Sequence, residues 1–165
     1  MFKARLSLIS HNFYLIILLS AFLCAACGNR PLLYSYQTVN EEGWMCTDTV
    51  RFAVDELPAA GTYDLRVGVR CNNLYAYQNL WLVVERRTAS APNHRDTLQL
   101  QLIDEASGEL TASNILHTQE QTVGTFSVRQ PQQPIELLVY HVMEEQLLKG
   151  VTEVGVSLTF HPVGE

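Results

Sequence analysis

Most of seven strand-like segments of this sequence alternate between apolar and other residues with a period of two, and a period of 3.6 hardly appears. Successive side chains of an extended chain point to opposite faces, so such a segment buries one face only as a strand. Thr47–Asp55 puts Val50, Phe52 and Val54 on one side, and Thr62–Arg70 does the same with Tyr63, Leu65, Val67 and Val69. Asp96–Ile103 alternates through Leu98, Leu100 and Leu102. Ile135–Met143 carries Ile135, Leu137, Val139, His141 and Met143 on one side, and Val154–Phe160 carries Val154, Val156, Leu158 and Phe160. Asn79–Arg86 is apolar on both faces, as a central strand would be, and Thr125–Arg129 is a short seventh segment. Turn residues separate them at Pro58–Gly61, Ala91–Asn93, Ser107-Gly108 and Gln130–Pro134. A single helical turn is expected at Glu144–Leu148. The fold class that follows is all-β: one antiparallel β-sandwich, jelly-roll or immunoglobulin-like, with an up-and-down barrel as the rival.

The first residues follow another logic. Lys3 and Arg5 precede an eleven-residue apolar run, Phe13–Leu23. That run is shorter than the ~20 apolar residues of a bilayer-spanning helix, and it suits the central region of an export signal. Ala25-Ala26 then stands directly before Cys27. Small side chains ahead of a cysteine are what a lipoprotein peptidase needs, although Cys24 occupies the position where such signals usually hold Leu. The expected division is residues 1–26 as lipoprotein signal peptide, 27–43 as lipid anchor and tether, and 44–162 as the β-sandwich, with Cys27 as the lipid attachment site. A diacylated cysteine would tie the domain to a membrane.

Without Lys3 and Arg5 the chain carries nine basic against 17 acidic residues, a formal charge of −8. Such a chain repels phosphate backbones, so no nucleic-acid partner is expected. Beyond Cys24 and Cys27 only Cys46 and Cys71 remain. In an exported protein an isolated pair suggests a disulfide. If Thr47–Asp55 and Thr62–Arg70 form one hairpin with Val50 opposite Val67, then Cys46 falls opposite Cys71, within the Cα range a disulfide tolerates.

Catalytic and cofactor signatures are missing. His94, His117, His141 and His161 are scattered, no CxxC occurs past Cys24-Ala-Ala-Cys27, and no HExxH, GxSxG, glycine-rich phosphate loop or DxDxDG calcium loop occurs. The expectation is a non-enzyme with no catalytic residue, no metal and no cofactor. His141, on an apolar strand face, reads as a structural histidine.

Aromatic residues are unevenly placed. Eight of the eleven that follow Cys27 lie between Tyr34 and Trp81. Phe52 and Tyr63 read as core, and Trp81 as a ring buried by its two-sided strand. Tyr75 and Tyr77 lie in a loop-like run that begins at the turn-forming pair Asn72-Asn73. They are either exposed contacts or the closure of one end of the sandwich. Tyr75, Tyr77 and Trp81 are the candidate partner or ligand contacts.

The run Arg70-Cys-Asn-Asn-Leu-Tyr-Ala-Tyr-Gln-Asn-Leu-Trp-Leu82 resembles a segment of the gliding-motility lipoprotein GldH family, R-N/H-x-x-x-Y-x-Y-x-N-L-W-L. Asp96-Thr-Leu98 with Asp104 is similar to a second family segment, and Leu148-Lys-Gly-Val-Thr-Glu-Val-Gly155 to a third. Tyr34 and Tyr36, after the lipid cysteine, also fit. Where the family tends to have G-x-W-L-G-x-G, this chain has Gly108-Glu-Leu-Thr-Ala-Ser113. The resemblance implies a non-enzymatic envelope lipoprotein allied to gliding and type IX secretion, with other envelope or motility proteins as partners. The alternative is a glycan- or peptide-binding lipoprotein that uses the aromatic run. Gly28–Pro31 carries no acidic residue, so the expected location is the outer membrane with the domain facing the periplasm.

Overall fold

The computed structural model describes residues 31–88, 91–102 and 116–162. All of them belong to the unit Pro31–Glu165. The ten strands among them are β1 (Leu33–Thr38), β2 (Trp44–Met45), β3 (Val50–Val54), β4 (Gly61–Cys71), β5 (Asn79–Thr88), β6 (Ala91–Gln101), β7 (His117–Val128), β8 (Ile135–His141), β9 (Leu147–Leu148) and β10 (Val151–His161). Sheet I runs β1-β10-β4-β7, sheet II runs β3-β8-β5-β6, and β2 pairs with β9 in a small ribbon. Every pairing is antiparallel.

The strand order settles the topology. Counting the eight long strands in sequence, sheet I takes the first, eighth, third and sixth, and sheet II the second, seventh, fourth and fifth. That is the jelly-roll order, two Greek keys wound into two sheets. Two separate four-stranded sheets exclude a closed up-and-down barrel.

The alternation of the sequence maps onto the two inner faces. Sheet I contributes Tyr63, Leu65, Val67, Val69, Val154, Val156 and Leu158 to the core. Sheet II contributes Phe52, Leu80, Leu82, Val84, Leu98, Leu100, Ile135, Leu137 and Val139. Each fully buried aliphatic side chain contributes about 1.5–3 kcal/mol of transfer free energy. Facing inward as well, His141 is buried edge-on against Trp44, with ring centroids 5.1 Å apart, and shares a 3.1 Å hydrogen bond with the Trp44 carbonyl. Its Nδ1 is buried without a partner, and burial lowers its pKa below the usual histidine value.

The outer face of sheet I carries a second organised layer. Register places Tyr36 beside Gly155, Gly155 beside Gly68, and Gly68 beside Glu120. The Tyr36 ring lies along this row over both glycines, and its hydroxyl donates a 2.8 Å hydrogen bond to Glu120. The Arg70 guanidinium sits 4.1 Å above the same ring and pairs with Glu153. The outer face of sheet II buries Glu85, whose oxygens accept hydrogen bonds from Arg87 (2.7 Å) and Arg95 (2.9 Å). Those two bonds hold its carboxyl below the usual range.

Several expectations are corrected. Leu33–Thr38, assigned to the tether, is strand β1 and pairs along its length with β10. Glu144–Leu148 forms bends and the short strand β9 in place of a helical turn. The seventh segment extends far beyond Thr125–Arg129, to twelve residues. Thr47–Asp55 and Thr62–Arg70 do not form a hairpin: β3 pairs with β8 in sheet II, while β4 lies between β10 and β7 in sheet I. The register argument for a Cys46–Cys71 disulfide falls with that hairpin, and both cysteines are free thiols. Burial pushes the Cys71 thiol up to about 12. Cys27 and Gly108–Ser113 lie outside the described residues.

Candidate functional site

The resembling run begins where β4 ends. Asn72 closes the turn: its side-chain oxygen accepts from the Leu74 amide at 3.0 Å, and its carbonyl from the Tyr75 amide at 3.1 Å. The Asn72 amide donates to the Gly150 carbonyl at 2.8 Å, which joins this turn to the one between β9 and β10. Gly150 has φ +84°, and a Cβ there would collide with the Tyr75 amide, so only glycine lets the two turns meet. Two of the resembling segments therefore pack on each other, through Asn72 and Tyr75 against Gly150 and through Arg70 against Glu153.

The turn sends the three candidate aromatics to different places. Tyr75 is 5% exposed, and its hydroxyl donates to the Asn79 carbonyl at 2.8 Å. It closes the end of the sandwich. Tyr77 is 38% exposed and meets Tyr75 edge-on, with ring centroids 5.7 Å apart. Trp81 is 41% exposed on the outer face of β5, between the inward-facing Leu80 and Leu82. The expectation of a buried Trp81 is thus corrected. The apolar residues on the outer side of β5 made the strand look two-sided, but Trp81 lies at its wet end.

Tyr77 and Trp81 line one cleft of about 480 Å³ together with Val142, Met143, Glu144 and Glu145. The chain leaving β8 forms its other wall. The Val142 amide donates to the Trp81 carbonyl at 3.0 Å, and the Trp81 amide points at the Met143 sulfur at 3.3 Å. Val142 is exposed, and the Tyr77 hydroxyl faces Glu145 at 3.4 Å. Reasoning from sequence missed Val142 and the acidic pair. The visible signal was Glu144-Glu145 directly after an apolar strand, a poor composition for a helical turn that closes a sandwich. Among the described residues, no three His, Cys, Asp or Glu side chains converge to hold a metal ion.

Within the resembling run, Arg70, Tyr75, Leu80 and Leu82 are committed to pairing or core packing, whereas Tyr77 and Trp81 face solvent. The gliding motility lipoprotein GldH of Flavobacterium johnsoniae is 33% identical over 87 residues, 53% of this chain and 54% of that protein. A GldH homolog of Christiangramia forsetii is 29% identical over 84 residues, 51% of each chain. The chain spans about half the length of these curated relatives. Among solved structures it is similar to Eiger TNF from S. frugiperda (TM-score 0.37, 13% identity, 82% of this chain and 97% of that one). It is also similar to a family 35 carbohydrate binding module from Clostridium thermocellum (TM-score 0.35, 12% identity, 78% and 90%). The model of the GldH lipoprotein family matches residues 32–158, from the start of β1 to within β10. With the match running through the whole jelly roll, the chain belongs to the GldH lipoprotein family.

Proposed function

We propose that this protein is a membrane-anchored, non-enzymatic accessory of the gliding-motility and type IX secretion machinery, and that it docks a protein partner through the Tyr77–Trp81 cleft. The observation that carries the reading is the exposed Trp81–Tyr77 pair, within the segment that marks the family, beside two carboxylates. Exposed Trp and Tyr on a rigid sheet supply contact area at low entropic cost, and such residues dominate interface energetics. Glu144 and Glu145 favour a partner segment bearing Arg or Lys, whose cation would meet the indole face and an acid together.

The anchor in this reading is Cys27, with residues 1–26 removed on export and the domain held at the outer membrane in the periplasm. Cys27→Ser should release the domain to the soluble fraction or leave the precursor uncleaved. Deleting the gene in its host should impair surface translocation or secretion through the type IX route, and Trp81→Ala should reproduce the defect at unchanged protein level. Normal translocation and secretion in the deletion strain would overturn the reading. A glycan-free background that reproduces the Trp81→Ala defect, with no protein cross-link formed from position 81, would favour the glycan-binding alternative.

A further inference from the structure

The opposite end of the sandwich holds a cleft of about 540 Å³ between the two sheets. Along the inner face of β5, Leu82 and Val84 are followed by a cation, Arg86. Its guanidinium reaches across to sheet I and lies 4.1 Å over the Phe126 ring. Arg86 is half-buried and has no salt bridge or side-chain hydrogen bond among the described residues. Asp96 attracts it only at a distance. A buried cation is costly without a partner, and the ring face offsets only part of that cost.

The surroundings complete a cradle. Arg129 lines the same cleft, with Thr88, Ser127, Gln130 and Gln133 as further polar groups. Leu57 closes one side, and its carbonyl accepts a 2.9 Å hydrogen bond from the Gln132 amide, which fixes the 129–134 loop. Among the described residues no carboxylate lines this cleft, although the chain as a whole has a formal charge of −6. The Tyr77–Trp81 cleft, by contrast, is lined by Glu144 and Glu145. Two arginines, two hydroxyls and two amides around one hollow are donors suited to a tetrahedral oxyanion.

Position within the fold names the source of that anion. β1 begins at Leu33, opposite Leu158, which pairs with Leu65. Two residues further along the same strands lie Phe160, Tyr63 and Phe126. The cleft is therefore at the end of sheet I where the chain enters from Cys27. The six residues Cys27–Leu32 extend to about 20 Å at most. A domain lipidated at Cys27 keeps this end within reach of the lipid headgroups, and its acidic remainder would be repelled by an anionic surface.

We propose that the Arg86–Arg129 cleft binds the phosphate of anionic headgroups, whose charge no choline cation offsets, in the membrane that carries the anchor, and so orients the domain with the Tyr77–Trp81 end outward. This inference rests on the anchored reading above.

The test uses the lipidated full-length mature protein reconstituted in phosphatidylcholine vesicles with and without phosphatidylglycerol. Flotation reads anchoring, and hydrogen exchange of residues 127–134 reads occupancy of the cleft. Flotation with both vesicles is expected, with exchange in this segment slowed only where phosphatidylglycerol is present. Arg129→Gln, at an exposed position that cannot disturb the core, should weaken that protection about fivefold, and Arg86→Gln at least as much. A chain that floats but shows equal exchange in both vesicles overturns this proposal alone. Full protection in Arg129→Gln does the same. Inorganic phosphate that protects the segment in phosphatidylcholine vesicles, with no further effect of phosphatidylglycerol, overturns the headgroup as source. A chain that fails to float with either vesicle overturns the anchored reading and this inference with it.

Discussion

The hydroxyl of Tyr36, on the first strand of sheet I, donates a 2.8 Å hydrogen bond to Glu120 on the last, reaching over Gly155 and Gly68 on the two strands between. In the anchored reading proposed above, this edge strand would bear any pull on the anchor. Its ladder with β10 alone would have to resist that pull, and the Tyr36 side chain clasps it to the whole width of the sheet. Burial, and then the neighbouring Glu120, pushes the phenol well above its ordinary pKa, so the hydroxyl stays a donor at physiological pH.

This clasp predicts a specific non-additivity. A Cβ on Gly155 would stand 2.6 Å from three ring carbons of Tyr36. Gly155→Ala should destabilise the domain by about 1–3 kcal/mol through overpacking. Tyr36→Phe should cost about 1 kcal/mol for the lost hydrogen bond. In Tyr36→Ala, which removes the ring, adding Gly155→Ala should cost almost nothing more. Urea midpoints of the four proteins check this, and additive losses would show that ring and glycine do not interact.

The thiols give a chemical prediction. Mass mapping of the unreduced, unfolded protein should find both Cys46 and Cys71 alkylated. In the native protein Cys46, half-buried, should react well before Cys71, which is buried with its thiol pushed up to about 12. A Cys46–Cys71 cross-linked peptide would contradict the free thiols.

His141 gives a pH dependence. Its folded-state pKa lies below the unfolded value, so the folded state binds the proton less readily. Stability from this group is present in full above the unfolded value of about 6.5 and is lost as pH falls below it. Measured between about pH 8 and 5, wild type should lose stability more steeply than His141→Gln, whose side-chain amide reaches the Nε2 position that meets the Trp44 carbonyl. Parallel curves would mean that the ring takes up its proton without cost.

Trp81 separates function from folding. Trp81 is 41% exposed, and the flanking Leu80 and Leu82 are fully buried and carry the packing of β5. Trp81→Ala should therefore cost about 1 kcal/mol, the ordinary loss for a single substitution, well below the about 2–5 kcal/mol of Leu82→Ala. Thermal unfolding of both variants tests this. A large loss in Trp81→Ala would make the residue structural and remove the main support for the docking cleft.

The sequence alone determined that this chain is a β protein and which side of most strands faces the core. Apolar side chains two residues apart can be buried together only on an extended backbone, and every inward set named from the alternation does face inward. The limits are equally physical. β1 and β7 are the edge strands of sheet I. On these edge strands polar residues stand at the register positions of inward-facing neighbours, Ser35 and Gln37 beside Val156 and Val154, and Gln119 and Gln121 beside Val69 and Val67, which leaves no alternation to find. Pairing was out of reach because period two fixes a strand's faces but not its neighbour. Thr47–Asp55 and Thr62–Arg70 are adjacent in sequence and compatible in register, yet the jelly roll sends them to different sheets, and the inferred disulfide goes with that pairing. Tertiary structure also decided the roles of the aromatics. Tyr75 and Tyr77 are two residues apart with the same chemistry, and only the meeting of the Asn72 turn with Gly150 turns one ring into the core and leaves the other in solvent. The same folding brought Arg86 of one sheet over Phe126 of the other, because a contact between strands far apart in sequence exists only once both sheets have closed on a common core.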